Sequence, residues 1–207
     1  MGMNRREIAQ HIVALDGAFA PVVAAIGPPP ARQRVRVEER FSHLVRSITH
    51  QLLATKAAMT IHGRVLDLVG GDVTTANVLA LSVADLRGVG LSRTKAEAMI
   101  QLADYVDAGR VRISRHGYME DPDVVVDVTQ VRGIGPWTAQ MYLMFTLARH
   151  DVWPTGDFGV RHGWSVIHGL DENIAEAELA RLGEPFVGVR SAVADYCWAA
   201  VDDVSWL

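Results

Sequence analysis

Apolar residues recur along this chain at intervals of three and four. In "EERFSHLVRSITHQLL" (38–53), Phe41, Leu44, Val45, Ile48 and Leu52 fall on one stripe, the spacing of an amphipathic helix with one buried face. In "TKAAMTIHGRVLDLVG" (55–70), Ala58, Ile61, Val65 and Leu68 repeat the pattern, and Gly70 and Gly71 supply the stop. The same periodicity predicts helices over 92–108, 136–149, 158–168, 172–182 and 190–203. The triplet Val124, Val125, Val126 has strand propensity, but no second strand-like run exists to pair with it, so it is read as part of a short helix. The predicted class is all-α. "GPPPAR" at 27–32 breaks the chain after an N-terminal helical segment and is read as a linker.

Composition narrows the picture. A chain of 207 residues suits one globular unit or two small lobes sharing a cleft. Nearly half the residues are apolar (49%), yet none of the apolar runs approaches the roughly 20 residues of a membrane helix. The start, "MGMNRREIAQHIV", carries charges without an apolar signal core, so a cytoplasmic location is the expectation. The single cysteine, Cys197, excludes an intramolecular disulfide or a cluster site built from several thiolates and reads as a small buried hydrophobe. A net charge of −4 argues, though weakly, against a nucleic-acid partner, since affinity for DNA usually rests on a basic surface that displaces counterions. Charge is nevertheless local: Arg32, Arg34, Arg36, Arg40 and Arg46 cluster, while Glu120, Asp121 and Asp123 gather acid elsewhere. A basic strip and a solvated, salt-bridged face both fit that pattern.

The stretch with most chemistry is "VRGIGPWTA" (131–139). Gly133 and Gly135 permit backbone conformations and close approaches that a side chain would block, and Pro136 suits a first helical turn. Unpaired N–H groups at such a turn and helix start make an anion site, so a phosphate is the natural guest; a tight turn without a ligand fits as well. "DLRGVGLSRTKAEAM" (85–99) echoes "QVRGIGPWTAQMYLM" (130–144), two helix-turn-helix connections rather than a solenoid. A dinucleotide fold is disfavoured by the missing third glycine and strand, and a P-loop by the absence of Gly-Lys-Ser/Thr. Downstream, "HDVWPTGDFGVRHGW" (150–164) places Asp157 after a Pro-Thr-Gly turn at the start of another helix.

Taken in order, "RSITHQLLATKAAMTIHGRV", "GVGLSRTKAEAM", "VRGIGPWTAQMYLMF" and "WPTGDFGVRHG" resemble the helix-hairpin-helix DNA glycosylase superfamily, most closely its alkylbase branch of the DNA-3-methyladenine glycosylase II type, over about 38–168. The resemblance implies an all-α fold of two helical lobes with a helix-hairpin-helix motif and an active-site cleft between them. One lobe would span 37–135. The other would combine the N-terminal segment 1–36 with 136–207 and present Asp157 to the cleft.

The resemblance further implies that Gly133, Gly135 and the following helix start at Thr138 grip DNA phosphates. It requires no cofactor and admits a monovalent cation held by hairpin carbonyls. Asp157 is implied as the catalytic carboxylate, a role compatible with a helix N-cap, since helix amides favour the ionised form. Trp137 stands where bifunctional relatives carry an attacking lysine, so strand-cleaving lyase chemistry is not expected. An indole suits stacking on a flipped cationic base, and core packing is its plainer reading. Gln51 and Leu52 are placed in the loop that plugs the gap left by the flipped nucleotide, although Leu52 also ends a helix stripe. Phe158 and Met141 would line the base pocket. In "EPFVGVRS" (184–191) the chain departs from a Trp-x-Pro-aromatic-Arg pattern of relatives, which puts one pocket wall and the substrate range in question. Because the helical core begins close to the first residue, the extra β-rich N-terminal domain of longer relatives is not expected here.

His150, His162 and His168 fit no familiar metal spacing and read as surface or satisfied helix positions; Trp153, Trp164, Trp198 and Trp206 read as packing residues. The expected activity is monofunctional removal of alkylated purines of the 3-methyladenine and 7-methylguanine type from double-stranded DNA, leaving an abasic site, by a monomer with no membrane association. The rivals are a non-catalytic DNA-binding or damage-sensing module, a glycosylase for a neutral lesion such as hypoxanthine or uracil, and a nucleotide-binding regulator.

Overall fold

The computed structural model describes residues 2–51 and 55–201, and among these every regular element is a helix. Twelve α-helices and four short 3-10 turns fall into two compact units, one of Met1–Gln33 with Arg149–Leu207, the other of Arg34–Ala148.

In the first unit, α1 (Arg5–Leu15) and α2 (Ala20–Ile26) join α10 (Phe158–Ile167), α11 (Glu176–Leu182) and α12 (Arg190–Ala200). The α12 helix is the axis, with Ser191 through Trp198 all buried. Phe19 is fully buried and meets Trp164, Phe186 and Tyr196 edge-on at 5.6, 5.8 and 6.5 Å, the geometry aromatic quadrupoles prefer. Helices α10 and α12 cross at their closest where a Cβ on Gly163 would lie 1.8 Å from the Cys197 carbonyl oxygen. The "GPPPAR" stretch is no loose linker. Pro29 is buried and its carbonyl accepts from Arg5 Nε at 2.6 Å, while the Arg32 guanidinium forks onto the buried Asp195 carboxylate. Burial pushes the Asp195 carboxyl up, and the Arg32 pair opposes it only in part.

The second unit is built around α3 (Arg40–His50), whose predicted stripe is buried at Phe41, Leu44, Val45 and Ile48. It packs against α4 (Thr55–Leu68), α7 (Arg93–Asp107) and α9 (Pro136–Phe145), with α5 (Thr75–Leu79) and α6 (Val83–Gly88) against α7 and α8 (Asp121–Thr129) against α9. The valine triplet is helical within α8. The sequence reading placed 136–149 with the C-terminal lobe, but α9 groups with Arg34–Ala148. The reason is its nearly continuous burial, at Thr138, Ala139 and Met141 through Met144, which ties it to α3 and α8.

Three helix ends differ from the periodicity. α9 stops at Phe145 because the Tyr142 carbonyl accepts from both Thr146 N–H (2.9 Å) and Leu147 N–H (3.1 Å), and Ala148 then turns left-handed at φ 54°. α11 starts at Glu176 rather than 172, since Ile174 N–H is held by Ser165 Oγ at 2.9 Å. α12 ends at Ala200.

Between α8 and α9 a fully buried histidine bridges the two helices. The imidazole of His116 donates from Nε2 to Asp127 of α8 at 2.8 Å and accepts at Nδ1 from the Tyr142 hydroxyl of α9 at 3.0 Å. Burial pushes the Asp127 carboxyl up, but the hydrogen bonds from His116 and from the Arg112 backbone and guanidinium outweigh it and hold it below the usual range.

Gly163→Ala is expected to lower stability by about 3 kcal/mol, because the added methyl meets a backbone carbonyl that cannot swing aside. A urea melt with an unchanged midpoint would mean that α10 and α12 do not cross so closely.

Candidate DNA-binding hairpin and catalytic carboxylate

In the Arg34–Ala148 unit, α8 and α9 enclose the turn 130–135. Gly133 sits at φ +97°, and a Cβ there would come within 3.0 Å of Ala98, so glycine is required both for the left-handed backbone and for the approach to α7. Arg132 N–H donates to Gln101 Oε1 at 2.6 Å and Ile134 N–H to the Val131 carbonyl at 3.0 Å. Gly135 is the N-cap of α9, with Pro136 in the first turn and no side chain capping the helix amides. The first turn of α9 therefore presents backbone donors at the positive end of a helix dipole. The echo at 85–99 is not the same turn, for its left-handed residue is the second glycine, Gly90 at φ +110°, and Ser92 caps α7.

Three predicted pocket residues lie in this unit. The Gln51 side chain is half-buried and donates through Nε2 to the Gly133 carbonyl at 2.9 Å and to Thr138 Oγ1 at 2.8 Å. Thr138 is buried, so its hydroxyl serves Gln51. Trp137 is half-buried on the first turn of α9, and Met141 is buried one turn further on. Leu52 and Trp206 lie outside the described residues.

Asp157 and Phe158 belong to the other unit. The Pro-Thr-Gly turn is closed by Asp157 N–H donating to the Pro154 carbonyl at 2.9 Å, which sets the carboxylate at the N-cap of α10. One oxygen, Oδ1, accepts from Val160 N–H at 2.8 Å and from Trp198 Nε1–H at 2.9 Å. The carboxylate is half-exposed. The indole reaches it only because residue 159 is glycine, where a Cβ would lie 2.8 Å from Trp198 Cδ1. Trp198, read from sequence as a packing residue, thus also donates to the candidate catalytic group. Its spacing from Asp157 along the chain gives no local signal of this. Phe158 is 63% exposed and stacks on His162 with centroids 5.8 Å apart.

The departing segment 184–191 turns its aromatic inward, Phe186 being buried against Phe19 and Trp164. Asp151 secures the segment, accepting from Gly188 N–H at 2.7 Å and from Arg190 through both oxygens. Of the flagged histidines, His168 lies on Trp164 at 4.3 Å and pairs with Asp16 at 2.8 Å, and His162 Nδ1 bonds Asn173 at 2.9 Å. Among the described residues no three His, Cys, Asp or Glu gather where they could hold a metal ion, and no helix is long and apolar enough to cross a membrane.

Residues 45–187 match the family described as "HhH-GPD superfamily base excision DNA repair protein", and the chain belongs to that superfamily. Within it, the sequence is 26% identical over 191 residues to DNA-3-methyladenine glycosylase 1 of Schizosaccharomyces pombe, covering 91% of this chain and 84% of the relative. It is 30% identical over 176 residues to a DNA-3-methyladenine glycosylase of Saccharomyces cerevisiae, covering 81% of this chain but 59% of that protein. Among solved structures, the S. pombe 3-methyladenine DNA glycosylase in complex with abasic DNA superposes with a TM-score of 0.85 at 26% identity, covering 92% of this chain and 94% of that one. A DNA-3-methyladenine glycosidase of Bacillus halodurans gives 0.79 at 31% identity, covering 93% and 88%.

His43, Arg46 and His50 of α3 and His62 of α4 form a cluster of basic side chains. Burial, followed by the charge on Arg46, pushes His43 down; burial and the charges on His50, Arg46 and His43 push His62 down to about 4 from an ordinary 6.5. Between those values the unfolded chain binds more protons than the folded one, so stability falls as pH drops from 6.5 towards 4. His62→Gln is expected to flatten that slope in urea melts taken at pH 4.5 and 7; an unchanged slope would show that His62 titrates normally.

Proposed function

We propose that the protein is a monofunctional DNA glycosylase that hydrolyses the N-glycosidic bond of alkylated purines in duplex DNA, leaving an abasic site. The observation that carries this reading is Asp157, a half-exposed carboxylate held at a helix N-cap by a backbone N–H and an indole N–H, in a chain similar to several 3-methyladenine glycosylases. An N3- or N7-alkylated purine is already cationic. When the bond from C1′ to the base breaks, the electron pair neutralises the base, and no general acid is needed. Charge then develops on the sugar. The Asp157 carboxylate stabilises that oxocarbenium character, orients a water and takes its proton as the oxygen bonds to C1′.

The supporting roles follow the same logic. The N–H groups around Gly133, Gly135 and the start of α9 bind DNA phosphate. A monovalent cation at the hairpin carbonyls belongs to this reading; the Gly133 oxygen that accepts Gln51 retains a second lone pair for it. Trp137 stacks on the everted cationic base, an attraction worth about 1 kcal/mol or more when desolvated, with Met141 behind it. Phe158 offers an exposed ring beside Asp157, and Leu52 fills the vacated stack. Trp137 in place of the attacking lysine leaves hydrolysis as the only outcome, so borohydride should trap no covalent adduct.

Single-turnover base release from duplexes carrying 3-methyladenine or 7-methylguanine tests the reading. Asp157→Asn should lose about a hundredfold or more in rate while retaining duplex affinity, and Trp198→Phe about tenfold, the worth of one charge-assisted hydrogen bond. A native protein that binds the duplexes but releases no base would favour the damage-sensing module instead.

A further inference from the structure

Only two of the chain's 20 basic residues are lysines, and one of them, Lys95, lies half-buried on α7 without a carboxylate partner among the described residues. Its ammonium donates to two backbone carbonyls at the end of α3, Thr49 O at 3.0 Å and Gln51 O at 2.6 Å. A cation there satisfies carbonyls that the helix leaves open and opposes the negative end of its dipole. A compact ammonium with three rotatable donors suits two converging carbonyls better than a planar guanidinium does. Burial lowers the Lys95 pKa, the cost of holding this cation on neutral partners.

Gln51 is thus held at both ends. Its main-chain oxygen is fixed by α7 through Lys95, and its side-chain amide by the hairpin through Gly133 O and Thr138 Oγ1. We propose that Lys95 is a positioning residue for base eversion, acting through Gln51, whose main chain it fixes relative to the DNA-binding hairpin. This inference rests on the glycosylase reading. Without Lys95 the side-chain amide of Gln51 keeps its hairpin contacts, but its main chain loses the tether to α7.

The test uses the full chain and a duplex with a tetrahydrofuran abasic analogue beside 2-aminopurine, whose fluorescence rises when the neighbouring stack opens. Lys95→Met is expected to bind undamaged duplex with unchanged Kd, to lose about tenfold in the equilibrium for the fluorescence rise, and to release 7-methylguanine correspondingly more slowly. Purely structural damage would lower the melting midpoint and duplex affinity together. If Lys95→Met fails to fold, Lys95→Gln, which keeps a donor without the charge, should give an intermediate loss. A fluorescence rise and release rate equal to the native protein's, in whichever variant folds, overturn the role of Lys95 alone. A native protein that neither raises the fluorescence nor releases base overturns the glycosylase reading and this role with it.

Discussion

One oxygen atom, Asp157 Oδ1, accepts both the Val160 N–H in the first turn of α10 and the indole N–H of α12, and much of the surrounding unit follows from that pairing. An indole can reach a helix N-cap only if the two helices cross closely and nothing stands between. Gly163 permits the crossing and Gly159 the reach. The Phe19, Trp164 and Phe186 cluster then fills the space beside the crossing. Fixing a carboxylate with donors that cannot themselves give up a proton at neutral pH leaves it an acceptor, ready for a developing positive charge.

The hairpin unit solves a different problem. On the proposed reading the hairpin amides meet a phosphate, which requires the two helices that carry them to keep their angle, and apolar packing alone leaves some sliding freedom. Here the angle is fixed by polar contacts inside the core. The His116 imidazole spans Asp127 and Tyr142, with Arg112 closing the carboxylate's remaining valence. Such a network destabilises when any member is missing and specifies one arrangement when all are present. Gln51 extends the same principle to the surface, tying the end of α3 to the hairpin turn.

The helical class was legible from periodicity, because long amphipathic stripes such as that of α3 carry their buried face in their own spacing. The hairpin turn was legible too, since only glycine tolerates φ +97° against Ala98. The grouping of α9 was not. A helix buried nearly all round has no stripe to say which neighbours it faces, and its assignment came from packing on α3 and α8. Around the candidate site, Asp157 announced itself through its turn and its cap position. Trp198 did not, because a contact between residues 41 positions apart depends on where two helices cross, and the signal lay in glycines 159 and 163 that periodicity treats as neutral. Lys95 carries no such signal either, for its partners are main-chain carbonyls, which sequence pattern does not display.

A chain with net charge −4 would be a poor DNA ligand if affinity had to come from displacing counterions with lysine and arginine. Backbone amides at a turn and at a helix N-terminus need no formal charge, because partial charges of the peptide units converge there. They also carry no side-chain entropy to lose. On the glycosylase reading the arrangement trades long-range attraction for local geometry, which suits a protein that must leave undamaged duplex readily. The same economy applies to the reaction proposed for Asp157. Where the substrate already bears the positive charge that an acid would otherwise supply, one carboxylate is enough. In that proposal selectivity falls to whatever distinguishes a cationic base from its neutral parent, and the indole of Trp137 is the group on the hairpin helix best suited to that choice.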